Sequence, residues 1–191
     1  PGHGPAQRIG GVDHKSIVVT LDRDYLPPLR VMLGSLLRND PGETFEIYAI
    51  GDGLLPEDGA ALEELCAGRG RIHPLEVPAD LFADAPVARY WTRAMYYRLL
   101  AAELLPQSLD RVLYLDPDIL VIHSVQPLYE MDLEGNLMAA ATHTGLLAGI
   151  TDPVNRLRLE NYEAEAYYNS GVRVMDLSGM RREGRTGEIF D

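Results

Sequence analysis

Short apolar runs alternate with segments of helical periodicity along the first half of the chain. The runs at 15–21 and 44–50 combine β-branched and other large apolar residues, which is typical of strands buried in a parallel sheet. Residues 26–37 and 56–67 place apolar side chains every three or four positions and predict amphipathic helices. A weaker run at 71–77 contains a proline and predicts an edge strand. This alternation indicates an α/β fold with right-handed crossovers, the kind that forms nucleotide-binding folds.

The second half of the chain continues the pattern less regularly. We predict a helix within 88–105 and strands at 111–122, 137–142 and 172–177. The segment 144–165 has mixed charge and little periodicity, and we predict that it is a mobile loop over the site. No further strand or helix is expected after the last of these strands.

Two carboxylates, Asp116 and Asp118, interrupt the run at 111–122, with Pro117 between them. Because proline cannot donate a backbone hydrogen bond, the strand is expected to stop pairing there and to turn both acids toward one opening. Two carboxylates about 4 Å apart repel by about 4 kcal/mol at an effective dielectric of about 20, so the pair favours a bound cation. Mg²⁺ or Mn²⁺ suits such a pair, because water and phosphate oxygens complete its coordination. The alternative is a capped polar turn at a strand end.

Other polar residues occur where they could join this pair. A second Asp-x-Asp, formed by Asp22 and Asp24, follows the first strand, and ligands of open α/β sheets bind at such strand ends. Arg98 precedes the acidic strand, and its guanidinium either reaches Asp116 or a diphosphate in a functional role or is an ordinary solvated or ion-paired group. From pattern alone, Asn169 and the serine after it form a polar turn.

Composition limits the class of protein. The chain has 191 residues, of which 46% are hydrophobic and 24% are charged, and this predicts one globular domain at 15–191 after a disordered or tag-like N-terminus at 1–14. The net charge of −12 argues against nucleic acid as a partner, and no apolar run reaches the length of a membrane span. One cysteine, Cys66, excludes an intrachain disulfide and fits a reducing, cytoplasmic compartment.

Several kinds of site are absent or weakly supported. The chain has no glycine-rich phosphate loop, and its five histidines show no metal-ligand spacing. A calcium loop beginning at Asp116 would need glutamate at its twelfth position, where the chain has Pro127. A phosphatase with an aspartate nucleophile also ends a strand in Asp-x-Asp and remains an alternative, although it needs a downstream lysine and no lysine follows Asp118.

Four segments, taken together, resemble the family 8 retaining glycosyltransferases, the group of glycogenin, galactinol synthase and bacterial lipopolysaccharide galactosyl- and glucosyltransferases. They are VVTLDRDY at 18–25, YYRL at 96–99, VLYLDPDILV at 112–121 and YNSGV at 168–172. Their order and spacing extend over nearly the whole chain. The resemblance implies a Rossmann-like nucleotide-diphospho-sugar transferase fold of the GT-A type, with a mixed, mostly parallel sheet flanked by helices.

The resemblance also implies a donor site for a UDP-sugar. The residues that it assigns to donor binding are Thr20, Asp22, Asp24, Tyr25, Arg98, Asp116 and Asp118. Of these, Asp22 and Asp24 would meet the base and the ribose, and Asp116 and Asp118 would hold Mn²⁺ or Mg²⁺ against the diphosphate. The catalytic candidates are Arg98, which would brace the donor and the acid pair, and Asn169, which would lie beside the transferred sugar.

The implied reaction moves a hexose from a UDP-sugar to a saccharide, a lipid-linked glycan or a protein acceptor. Family members continue with an Asp-Gln pair and then a His-x-x-Gly-x-x-Lys-Pro-Trp segment that gives the third metal ligand, and neither occurs before Asp191. We therefore expect this chain to lack the C-terminal part of the fold, to bind UDP and Mn²⁺ weakly and to show little or no transfer. A non-catalytic nucleotide-sugar-binding module is the further alternative.

Overall fold

A seven-stranded sheet forms the centre of the structure, a computed structural model that describes residues 8–9, 12–51, 54–77, 97–142 and 168–184. The strands are β1 (Arg8–Ile9), β2 (Val12–Leu21), β3 (Thr44–Gly51), β4 (Gly70–Glu76), β5 (Arg111–Leu115), β6 (Met138–Thr142) and β7 (Tyr168–Asp176). Apolar side chains on β2 and β5 are buried on both faces of the sheet, as expected of interior strands.

The strand order is β4, β3, β2, β5, β7 and β6, and β1 pairs antiparallel with β2 outside this path. β2 is parallel to both β3 and β5, and β3 is parallel to β4, whereas β7 runs antiparallel to β5 and β6. The carboxyl ends of β2 and β5 therefore lie beside the amino end of β7, along the edge of the sheet that runs across the strand ends. The predicted mixed, mostly parallel sheet is confirmed, and β4 lies at an edge as its proline indicates.

Helices α1 (Leu26–Asn39) and α2 (Pro56–Cys66) follow β2 and β3 and pack against one face of the sheet. Two prolines occupy the first turn of α1, where an N–H has no partner within the helix, and a stripe of leucine and methionine is buried. Ala67, with a φ of 49°, ends α2 in a left-handed turn. Shorter helices are α3 (Ala101–Leu104), α4 (Gln126–Tyr129) and α5 (Leu177–Glu183), and 3-10 turns occur at Arg23–Tyr25 and Arg98–Leu100.

The two faces of the sheet differ in chemistry. We call the side against α1 and α2 the apolar face; its strand residues include Ile17, Val19, Leu113 and Val174. The opposite side is the mixed face, and its strand residues include Val18, Thr20, Tyr114 and Arg173. Both faces are buried, but the mixed face contains hydroxyl and guanidinium groups, whereas the buried cluster on the apolar face consists of apolar side chains and the Cys66 thiol.

Three local predictions were wrong. The strand predicted at 111–122 ends at Leu115, and 119–122 lie outside any strand, with Leu120 and Ile122 exposed. The sequence predicts a polar turn at Asn169, but the residue lies in β7, because this segment pairs with β6 from Tyr168 onward. The last strand ends at Asp176, and helix α5 follows where no further helix is predicted. The Asp176 carboxylate accepts the backbone N–H of Gly179 at 2.9 Å and caps this helix, so an N-cap signal was available in the sequence.

Some predictions fall outside or at the margin of the described residues. Residues 8–9 and 12–14, which the sequence analysis assigns to a loose terminus, lie in β1 and β2. The predicted loop at 144–165 and the first half of the predicted helix within 88–105 lie outside the described residues. The described half, 97–105, contains the 3-10 turn Arg98–Leu100 and helix α3. In the described ranges, every helix is too short or too polar to cross a bilayer.

Candidate functional site

Asp116 lies where the carboxyl ends of β2 and β5 adjoin the amino end of β7. It is the first residue after β5, and its backbone N–H donates to the carbonyl oxygen of Gly171 on β7 at 2.8 Å. Because β7 is antiparallel to β5, its first residues, including Asn169, arrive at the same edge as the carboxyl end of β5. The topology thus brings together the Asp-x-Asp pair and the Asn-Ser-Gly segment, which are some 50 residues apart in the sequence.

A chain of hydroxyl groups supports Asp116 from inside the mixed face. The Tyr114 hydroxyl donates to Asp116 Oδ1 at 2.6 Å, and Thr20 Oγ1 lies 2.9 Å from the Tyr114 oxygen. Since Tyr114 has a single proton to donate, Thr20 is the donor to Tyr114. Burial raises the pKa of the Tyr114 hydroxyl, so it stays protonated and remains a hydrogen-bond donor at neutral pH. Thr20, assigned to donor binding by resemblance, is itself buried and acts here through Tyr114.

Arg98 reaches the same carboxylate from a different element. Its Nη2 lies 3.5 Å from Asp116 Oδ1, and its Nη1 donates to Ser170 Oγ at 3.0 Å. The Arg98 Cζ also stands 5.1 Å from the centre of the Tyr114 ring, within range of a cation–π attraction. Of the two interpretations left open by the sequence, the contact with Asp116 is the one that the structure contains.

Gly171 makes room for the Asp116 carboxylate. A Cβ built on Gly171 would lie 2.4 Å from Asp116 Oδ2 and 3.0 Å from Asn169 Oδ1, closer than real Cβ contacts. The Asn169 side chain accepts the Gly171 N–H at 2.7 Å, which fixes the amide beside the acid. Only glycine at position 171 is compatible with this arrangement of acid, amide and backbone.

The acid pair is accessible to a ligand. The Asp116 side chain is 27% exposed, and Asp118, which follows the buried Pro117, is exposed. Among the described residues, no group of three His, Cys, Asp or Glu side chains could hold a metal ion. In this part of the chain the pair therefore offers two hard oxygen ligands, and water and phosphate oxygens would have to fill the remaining positions of Mg²⁺ or Mn²⁺.

The second acid pair forms a turn at the end of the neighbouring strand. Asp22 Oδ1 accepts the backbone N–H of Asp24 at 3.1 Å and caps the 3-10 turn that follows β2. Asp24 and Tyr25 are exposed. Because β2 and β5 are adjacent and parallel, this turn and Asp116 lie at the same edge of the sheet.

Three residues of this site were not singled out by sequence reasoning. Tyr114 belongs to an apolar run, where it is most simply a core aromatic residue, and Ser170 was treated only as part of a turn. Arg173 alternates with apolar residues and is expected on a solvated side, yet it is 8% exposed and its Cζ stands 4.7 Å from the Tyr114 ring centre. Its burial follows from the pairing of Arg173 with Tyr114, which sequence periodicity does not reveal.

Comparisons with known proteins agree on one family. The family model "Glycosyl transferase family 8" matches residues 16–191. General stress protein A of Bacillus subtilis (strain 168) is 29% identical over 179 residues, covering 92% of this chain and 60% of the relative. Lipopolysaccharide 1,2-glucosyltransferase of Escherichia coli (strain K12) is 28% identical over 166 residues, covering 85% of this chain and 47% of the relative.

A solved structure gives the same result for the fold. The galactosyltransferase LgtC, crystallised in complex with donor and acceptor sugar analogues, superposes with a TM-score of 0.76 at 28% identity. The superposition covers 87% of this chain and 59% of that protein. The chain thus spans about half to three fifths of the length of these three proteins.

Proposed function

Because the chain belongs to glycosyl transferase family 8 and has the GT-A fold, we propose that it transfers a hexose from a UDP-sugar to a hydroxyl group of an acceptor. The observation that carries the proposal is the support of Asp116, which Tyr114, Arg98 and Gly171 hold at the strand edge while its carboxylate stays accessible. A partly exposed carboxylate at the carboxyl end of a parallel strand is suited to ligand binding.

Asp116 and Asp118 would hold Mn²⁺ or Mg²⁺ in this proposal. Both are hard oxygen ligands, and their accessibility leaves room for the water and phosphate oxygens that such ions require. When bound, the ion would act as a Lewis acid that stabilises negative charge on the departing diphosphate.

Arg98 and Asn169 would orient the reacting part of the donor. The Arg98 guanidinium, tied to Ser170, presents further N–H groups of the kind that pair with phosphate oxygens. The Asn169 oxygen already accepts from Gly171, so its amide nitrogen would donate to a hydroxyl of the sugar. Exposed Asp24 and Tyr25, together with Asp22, would meet the ribose and the base from the adjacent strand end.

The acceptor is proposed by similarity alone. Relatives of this chain include a lipopolysaccharide 1,2-glucosyltransferase and a lipopolysaccharide 1,3-galactosyltransferase, so a saccharide of a glycolipid is our first candidate. The phosphatase considered from the Asp-x-Asp motif is not favoured by the family match.

A binding measurement tests the proposal. We expect UDP to raise the melting temperature only when Mn²⁺ is present, since a ligand at about 100 times its dissociation constant stabilises the native state by about 2.7 kcal/mol. The substitution Asp118→Ala should abolish this shift, because it removes one of the two metal ligands. Glu103→Ala is the matched control, since it removes the same charge from an exposed position on α3.

Release of UDP from UDP-sugars then separates transfer from binding. Metal-dependent UDP binding without release would identify a non-catalytic binding module. Wild-type protein that shows no metal-dependent UDP binding would contradict the proposed function.

A further inference from the structure

Arg173 is a buried cation with unused hydrogen-bonding groups. It is 8% exposed, and its Nε and Nη2 atoms are buried without a hydrogen-bond partner. Burial lowers the pKa of this guanidinium; of the nearby groups, Tyr114 and Asp116 raise it and Arg98 lowers it. Because an unpaired buried charge is costly, the arrangement calls for an anion.

The two unpaired atoms belong to one edge of the guanidinium. The N–H of Nε and one N–H of Nη2 point the same way, and together they form the fork that receives two oxygens of one carboxylate or phosphate. A lone unpaired nitrogen would suggest a water molecule or a packing compromise. An entire unpaired edge has the geometry for a two-oxygen anion.

The described sheet neighbours of Arg173 provide no carboxylate for its unpaired edge. In the sheet register its partners are Tyr114 on β5 and Ala140 on β6, so the three side chains share the mixed face. Tyr114 covers one side of the guanidinium at 4.7 Å. Ala140 is small and half-buried, and its methyl side chain offers no hydrogen-bonding group to the guanidinium on the side toward β6.

Among the residues that the structure describes, two guanidinium groups and one carboxylate surround the Tyr114 ring. Arg98 and Arg173 both stand over this ring, and the Arg98 Nε is also buried without a partner. Within the described ranges, Asp116 is the carboxylate that contacts this group, through Tyr114 and Arg98. A local positive excess in a chain of net charge −12 marks this spot as an anion site.

We propose that the free edge of Arg173 binds a two-oxygen anionic group of the donor, which is either a phosphate of its diphosphate or a carboxylate on the transferred sugar. The inference rests on the proposed function for the identity of the donor. It assigns donor recognition to a residue outside the Asp-x-Asp and Asn-Ser-Gly segments.

Isothermal titration of the full chain with Mn²⁺ tests the assignment, using four probes: inorganic pyrophosphate, UDP, UDP-glucose and UDP-glucuronic acid. Arg173→Met keeps the length and apolar volume of the side chain but removes the charge. Arg173→Lys keeps a charge but lacks the two-donor edge. Arg182→Met is the control, because this arginine on α5 has a side chain that is 73% exposed.

We expect Arg173→Met to weaken binding at least tenfold and Arg182→Met to leave it unchanged. Equal weakening for pyrophosphate, UDP and UDP-glucose identifies the diphosphate as the bound group. Weakening confined to UDP-glucuronic acid identifies a sugar carboxylate. Arg173→Lys, which retains the buried charge, should fold and still lose at least threefold; it decides the matter if Arg173→Met does not fold.

Unchanged affinity for all four probes in the folded Arg173 variants would overturn the inference. The outcome is separable from failure of the proposed function. If wild-type protein binds no nucleotide but binds pyrophosphate in an Arg173-dependent manner, the donor assignment fails while the anion site stands. Wild-type protein that binds neither nucleotide nor pyrophosphate would overturn both.

Discussion

The two faces of the sheet serve different ends although the same strands build them. On β5, Leu113 and Leu115 turn toward the apolar face and pack beneath α1, while Tyr114 turns to the mixed face and meets Thr20, Arg98 and Asp116. The buried cluster on the apolar face consists of apolar side chains and the Cys66 thiol, so apolar packing is its main source of stability. The mixed face buries hydroxyl and guanidinium groups that a purely structural sheet would not need.

The difference shows where stability and function reside in this domain. Apolar burial is worth about 25 cal/mol per Å² and needs no partner of defined geometry. Buried polar groups add stability only when they are paired, and Arg173 is not fully paired. We infer that the apolar face supplies most of the folding free energy. The buried polar groups of the mixed face position the candidate site and contribute less to stability than apolar side chains would.

The largest expected effect is on the apolar face. Leu113→Ala should lower the free energy of unfolding by about 2–5 kcal/mol, because Leu113 is fully buried and the substitution leaves a cavity. Chemical denaturation followed by circular dichroism measures this loss. Metal-dependent UDP affinity of the folded fraction should be unchanged.

The neighbouring Tyr114→Phe is the matched variant for the other face. It keeps the ring but removes the hydroxyl that joins Thr20 to Asp116, so UDP affinity should fall while stability falls less than in Leu113→Ala. If both variants lost stability and UDP affinity in the same proportion, the inference that the apolar face stabilises the fold while the mixed face positions the site would be wrong.

An intermediate loss of stability is expected for a substitution in β7 beside Asp116. Gly171→Ala should cost about 1–3 kcal/mol of stability and should abolish UDP binding, because the new Cβ would lie 2.4 Å from Asp116 Oδ2 and displace that carboxylate. Thermal denaturation with and without UDP and Mn²⁺ measures both effects.

Gly34→Ala provides the control within α1. A Cβ on Gly34 meets nothing within 4 Å, and alanine in a helix interior is favoured over glycine by up to about 1 kcal/mol. This variant should be at least as stable as wild type and should bind UDP normally. A Gly171→Ala protein that binds UDP like wild type would show that Asp116 is not held as described.

The smallest expected effect is a change of stability with pH that comes from Cys66, a buried residue of the apolar face. Burial raises the pKa of the Cys66 thiol, so the unfolded state loses this proton at lower pH than the folded state. The contribution of Cys66 is complete below the unfolded pKa and is lost as pH rises through the folded pKa. Stability should therefore fall above about pH 8.5, by less than about 1.4 kcal/mol per pH unit.

Cys66→Ala isolates this contribution. Its free energy of unfolding should be lower than that of wild type at pH 8, and the difference between the two proteins should shrink as pH rises toward 10. Unfolding curves at several pH values measure the difference. A constant difference across this range would mean that the thiol does not titrate differently in the two states.

Much of the fold was predictable because it depends on local patterns. The runs of β2 and β3, the stripe of α1 and the proline of β4 each signal an element within about ten residues. Helix α5 was missed although Asp176 caps it, because the apolar alternation of the preceding strand seemed to continue through Leu177.

The candidate site was predictable only in part. Asp116 and Asp118 stand out because charge interrupts an apolar run, and Arg98 was a candidate because it precedes that run. Tyr114 and Arg173 carry no such signal, since each is unremarkable in its own strand and becomes important through the register that pairs them. Register depends on the whole sheet, so local periodicity cannot supply it.

The sequence by itself determined the alternation of strands and helices, the position of the acid pair at a strand end and the resemblance of four segments to one family. Tertiary structure alone decided that β7 runs antiparallel beside β5, which carries Ser170 and Gly171 to Asp116 and stacks Arg173 on Tyr114. The physical reason is the sequence separation over which each kind of signal acts. Periodicity and charge act between residues near in sequence, whereas the support of Asp116 also requires distant contacts, of Gly171 with Asp116 and of Thr20 with Tyr114, the latter 94 positions apart.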